Sequence, residues 1–92
     1  MYNQKTPIYL KASTLRDMSD IPTIKNDAKK HMILILRVTP LAQKDVDELR
    51  SAIEDLYRYV QSVGGDIARL GEERVVITPP SVRIWRGVYD LK

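Results

Sequence analysis

Hydrophobic positions change spacing several times along this chain, and each change predicts an element. From Pro7, Ile8, Leu10 and Ala12 alternate with Tyr9 and Lys11, the period-two signature of a strand with one face inward, here over residues 7–12. Ile21, Ile24 and Ala28 then recur at helical spacing behind Ser19 and Asp20, either of which suits the capping position of a helix that tolerates Pro22 in its first turn. A short amphipathic helix is expected over residues 21–31. The segment Met32-Ile33-Leu34-Ile35-Leu36-Arg37-Val38 is apolar at six of seven positions. It is too short for a buried helix of ordinary length and reads as a central strand covered on both faces, ended by Thr39-Pro40.

From about Lys44, Val46, Leu49, Ile53, Leu56, Val60 and Val63 are spaced 3, 4, 3, 4, 3, the apolar stripe of a helix that packs by one face. Asp45, Asp47 and Glu48 sit at its positive end, and Gly64-Gly65 stops it. Residues 66–70 and 74–78 flank Gly71-Glu72-Glu73 as a β-hairpin, closed by Pro79-Pro80. Val82 and Ile84 alternate with Arg83 and Trp85 in a short edge strand. Gly64, Gly65 and Gly71 are therefore structural turn residues. The order β-α-β-α-β-β predicts an α/β (α+β) two-layer sandwich, a small mixed sheet with two helices on one face. Its globular core spans 7–86, between a loose N-terminus at 1–6 and a C-terminal tail at 87–92.

Two helices on one face leave the sheet with apolar surface to spare. Ile33 and Ile35 point opposite to Leu34 and Leu36, and Val76 points opposite to Val75 and Ile77. Leaving such side chains in water forgoes roughly 1.5–3 kcal/mol each. A homodimer whose interface holds Ile33, Ile35 and Val76 is expected. The alternatives are a covering by loops and the C-terminal tail, or a helix-to-helix dimer through the outer edge of the long helix.

Composition narrows the chemistry. The 92 residues suffice for one domain, and 43% hydrophobic with 29% charged residues is a globular balance. Cysteine is absent, which excludes disulfides and thiolate metal sites. No apolar run is long enough to span a bilayer. His31, the single histidine, stands at the end of the first helix among lysines, and no catalytic constellation surrounds it. Asp17, Asp20 and Asp66 lack the spacing of a metal loop, so no catalytic residue, metal or cofactor is expected. The net charge of +3 permits a nucleic-acid partner without requiring one. A small basic nucleic-acid-binding domain, using Lys25, Lys29, Lys30 and the Arg83-Ile84-Trp85-Arg86 run, is the alternative reading. Asp27 interrupts the first patch, and Trp85 alone is no stacking platform. Tyr57 and Tyr59, beside the stripe of the long helix, border a core or frame a groove for a short peptide.

The stretch Tyr9-Leu10-Lys11-Ala12 with Leu15-Arg16-Asp17, the segment Ile33 to Leu41, the run Gly64-Gly65-Asp66-Ile67-Ala68-Arg69-Leu70-Gly71 and the ending Val76-Ile77-Thr78-Pro79 resemble the SepF family of cell division proteins, particularly its archaeal form. The resemblance implies a cytoplasmic, non-enzymatic dimer at the division site on the inner face of the cell membrane. There it binds the C-terminal tail of the tubulin-like protein FtsZ and links the division ring to the membrane. Members of the family usually carry an amphipathic membrane-targeting helix ahead of this core. Six polar residues precede the first strand here, so membrane contact is expected only through an upstream anchor not present in the chain. By the same resemblance Arg69, Arg74 and Val76 are candidates for the tail-binding site, with Tyr57 and Tyr59 added on chemistry alone. The arginine forks suit peptide carboxylates, or else pair with Glu72 and Glu73 across the hairpin.

Overall fold

The computed structural model describes residues 7–86; the expected loose N-terminus and C-terminal tail lie outside the described residues. The strands are β1 (Leu10–Thr14), β2 (Ile33–Arg37), β3 (Asp66–Leu70) and β4 (Arg74–Thr78), and the helices α1 (Ile21–Ala28), α2 (Thr39–Lys44) and α3 (Val46–Ser62). They build one mixed sheet in the order β1-β2-β4-β3, with β1 parallel to β2 and the other pairs antiparallel. The hydrophobic core lies on one face of that sheet. There Leu34, Leu36, Ile67, Val75 and Ile77 meet Ile24 of α1 and Leu49, Ala52, Leu56 and Val60 of α3.

One short helix was not expected. β2 ends before Thr39-Pro40 as predicted, but a proline that cannot continue a strand is suited to the first turn of a helix, and α2 begins at Thr39 with Pro40 in that turn. Its Leu41 is fully buried. Asp45 separates α2 from α3 and caps α3, accepting from the backbone of Asp47 and Glu48 at 3.0 and 3.1 Å. At the entry to α1, Asp17 and Asp20 form a reciprocal capping box around the single turn Met18–Asp20. Asp20 accepts from the amides of Arg16 and Asp17, and Asp17 accepts from the Ser19 hydroxyl and amide. Those bonds, the hydroxyl first, hold the Asp17 carboxyl below its usual range. The helix ends at Ala28, earlier than predicted, and His31, at φ 60°, turns the chain into β2.

The first strand corrects a prediction. Leu10 and Ala12 do not face the helices; Lys11 does, with its ammonium 2.7 Å from the buried carboxylate of Asp27 in α1. Register confirms the reversal, since Lys11 and Ser13 stand beside the buried Leu34 and Leu36, and Leu10 and Ala12 beside Ile33 and Ile35. The apolar side of β1 therefore belongs to the face without helices, which runs through Leu10, Ala12, Ile33, Ile35, Val76, Ala68 and Leu70. Leu10 is 64% exposed, and Ile33, Ile35 and Val76 are half-buried.

The hairpin forms as predicted. Gly71 adopts φ 75° in its turn, and a Cβ on Gly65 would collide with the Thr78 carbonyl. Beyond Thr78 the expected edge strand is replaced by a strap. The Ile84 amide donates to Asp66 Oδ2 at 2.9 Å, and the Arg86 guanidinium spans both Asp66 oxygens at 3.1 and 3.2 Å while also reaching the Ile67 carbonyl. Thr78 donates its hydroxyl to the Val82 carbonyl. Side-chain bonds to Asp66 and Thr78 take the place of a ladder.

Candidate functional site

The stripe on α3 is wider than the core needs. Leu49, Ala52, Leu56 and Val60 are buried, while Val46 and Tyr57 remain 58% and 52% exposed on the flank that faces the hairpin. Ile53 lies between them, half-buried. Together with β3 this flank makes a groove in two adjoining hollows. One, of about 330 Å³, is lined by Val46, Leu49, Arg50, Ile53, Glu54 and Arg69. The other, of about 170 Å³, is lined by Ile53, Tyr57, Ile67, Ala68, Arg69 and Val75. Ile53 and Arg69 line both, so the hollows adjoin across these two side chains.

The local sequence explains this geometry. Arg69 sits on β3 at the register of Val75, on the helix side of the sheet, where a shorter apolar residue would have joined the core. Its guanidinium donates to the Glu72 carbonyl at 3.1 Å, which steadies it against the turn. Arg50, one helical turn after Val46, pairs with the exposed Asp47 at 3.0 Å. The result is an apolar floor whose rim carries the guanidinium groups of Arg50 and Arg69 and the carboxylate of Glu54. Such a surface is chemically suited to an extended or helical peptide that combines apolar anchors with charged groups.

The residues selected from sequence divide among three places. Tyr57 and Arg69 share the groove. Tyr59 lies on the opposite flank of α3, its ring 5.5 Å from the Lys25 ammonium, and among the described residues its buried hydroxyl has no hydrogen-bonding partner. Val76 and Arg74 point to the open sheet face, where Val76 is level with Ile35 and Arg74 with Arg37. Arg74 also pairs with Glu73 at 3.4 Å. The groove adds Arg50, and also Val46, Leu49 and Ile53, which sequence reading assigned to the packing stripe of the long helix. The signal for them was the exposed fringe of the stripe, legible once the hairpin is placed beside it.

No group of three or more His, Cys, Asp or Glu side chains that suits a metal occurs among the described residues. Asp17 and Asp20 are engaged in the capping box and Asp66 in the strap. Of the basic groups proposed for nucleic acid, Lys25 is bonded to Asp55 at 3.0 Å and Arg86 to Asp66. A further recess of about 580 Å³ lies between Pro7, Ile8, Tyr9, Lys30, His31 and Ser81. Among the described residues, no helix is long and apolar enough to cross a membrane.

The family model described as "Cell division protein SepF" matches residues 11–84. Among solved structures, a SepF-like protein from Archaeoglobus fulgidus superposes with a TM-score of 0.78 at 25% identity, over 86% of this chain and 94% of that one. A SepF-like protein from Pyrococcus furiosus gives 0.80 at 24% identity, over 90% of this chain and all of the other (100%). Cell division protein SepF from Methanobrevibacter smithii, in complex with FtsZ-CTD, gives 0.73 at 15% identity, over 86% and 99%. No curated protein sequence matches the chain.

Proposed function

This chain belongs to the SepF family of cell division proteins, and on that premise we propose that it is a non-enzymatic adaptor that binds the C-terminal tail of FtsZ and dimerises through its open sheet face. The observation that carries the first part is the α3–β3 groove, with Val46, Leu49 and Ile53 as floor and Arg50, Arg69 and Glu54 on the rim, a lining that suits a tail of mixed apolar and charged residues. A relative of the same fold is known in complex with FtsZ-CTD, which supports a peptide as the ligand class. The apolar face through Ile33, Ile35 and Val76 supports the second part, because a two-fold pairing buries it symmetrically. A dimer presents two grooves to one filament and gains avidity without new contacts. The protein works at the division site, and its link to the membrane comes through an anchor outside the globular core.

Amide chemical-shift mapping with a synthetic FtsZ C-terminal peptide tests the site. Shifts are expected to concentrate at Arg50, Ile53, Tyr57 and Arg69. Arg69→Glu should weaken binding at least tenfold while leaving the fold intact, because Arg69 is exposed and, among the described residues, bonds only to a turn carbonyl. Shifts confined to Arg74 and Val76 would move the site to the open face and dismiss the groove.

A further inference from the structure

Trp85, the single tryptophan of the chain, is 80% exposed, the most exposed of its large hydrophobic side chains among the described residues. A lone surface apolar residue needs no explanation by itself. What distinguishes Trp85 is how it is held. The residues on either side of it are fixed, Ile84 through its amide and Arg86 through its guanidinium, and both bond to the one carboxylate of Asp66. A tryptophan on a loose tail must be ordered before it can bind. Here that ordering is already supplied by the fold, which is the condition for a strong anchor.

Its position follows from register. Asp66 and Thr78 are paired with each other and stand on the same face as Ala68 and Val76, the face without helices. The strap bonds to both of their side chains, and within it Val82 and Ile84 are half-buried while Arg83 and Trp85 are exposed. We infer that Trp85 is a contact residue between two copies of this chain, a clasp that projects from the strap over the open sheet face of the partner. This inference rests on the sheet-face dimer proposed above.

The charges of the open face select the orientation. Arg37 and Arg74 are cross-strand partners, both exposed, at the end of the face opposite to Asp66. A two-fold axis along the strands would stack these cations on their copies, and like charges in an interface are unfavourable. An axis across the strands instead lays the arginine end of one copy over the Asp66 and Trp85 end of the other, where Asp66 and Arg86 form a neutral pair beside the exposed Arg83, a weaker concentration of positive charge than Arg37 with Arg74. The indole of each copy then meets the partner's Leu70, which is 54% exposed beside Arg74. Burial of two tryptophans on exposed leucines, next to guanidinium groups, combines apolar area with cation–π attraction.

The test uses the intact chain and its own fluorophore. Trp85 emission and acrylamide quenching are followed across a dilution series, with sedimentation on the same samples. The emission should shift to the blue, and quenching should fall several-fold, with a midpoint equal to that of dimer formation. Trp85→Ala and Leu70→Ala should each weaken the dimer about tenfold, and the double variant should lose less than the product of the two. A dimer whose tryptophan stays red-shifted and freely quenched, or whose midpoint is unchanged by Trp85→Ala, overturns the clasp and leaves the sheet-face dimer standing. A chain that stays monomeric at every concentration overturns both.

Discussion

Asp27 is buried in a helix whose other inward residues, Ile21 and Ile24, are apolar, and the ammonium of Lys11 reaches it from the neighbouring strand. Breaking a fully buried ion pair costs about 3–5 kcal/mol. Water reaches the half-exposed Lys11, so Lys11→Met should cost less, about 1–3 kcal/mol in urea unfolding. Replacing both partners with apolar residues should recover most of that loss, and a Lys11→Met protein as stable as the parent would contradict the pairing. Gly65 gives a second expectation. Its missing Cβ leaves room for the Thr78 carbonyl and the Val60 side chain, so Gly65→Ala should destabilise the fold by about 1–3 kcal/mol. Sequence reading found Gly65 as a helix stop but not the reason no other residue fits there. It misplaced Lys11 altogether, because alternation tells which residues share a face and not which face the helices take. That choice was made by a charged partner sixteen residues away in sequence.

At the scale of elements, the strap is governed by one acid. The Arg86 guanidinium, then the Ile84 amide, lower the Asp66 carboxyl from 3.8 to about 2. A carboxyl whose folded-state value is depressed contributes stability that is complete well above 3.8 and is lost as the pH falls through that value toward 2. The Ile84 amide resonance, bonded to that carboxylate, should therefore titrate with a midpoint near 2 and not near 3.8. Asp66→Asn should abolish the titration, and a midpoint at the ordinary carboxyl value would mean that the latch does not form. Apolar periodicity exposed the hairpin and the long helix because each buries a regular stripe. It overlooked α2, which has room for one buried leucine, and it read the strap as a strand because Val82 and Ile84 alternate with Arg83 and Trp85. The partner that fixes the strap is a carboxylate, which leaves no trace in a hydrophobic pattern.

At the scale of the molecule, helices cover one side of the sheet and the other side stays apolar, more so than the sequence suggested once Leu10 and Ala12 join it. If that face is the dimer interface, Ile35→Lys should convert a dimer into a monomer in light scattering, since it would bury two unpaired ammonium groups. An unchanged dimer would direct attention to the helices. The tail-binding candidates were less legible than the fold. The resemblance grouped Arg69 with Arg74, and side-chain chemistry grouped Tyr57 with Tyr59, whereas helical and strand periodicity send the members of each pair to different surfaces.

The central claim is that the α3–β3 groove receives the FtsZ tail. Calorimetric titration of an FtsZ C-terminal peptide from the same organism into the intact chain tests it most directly. One peptide should bind per chain, and Arg69→Glu should reduce the affinity at least tenfold. No heat at high micromolar peptide, or binding indifferent to Arg69, would contradict it.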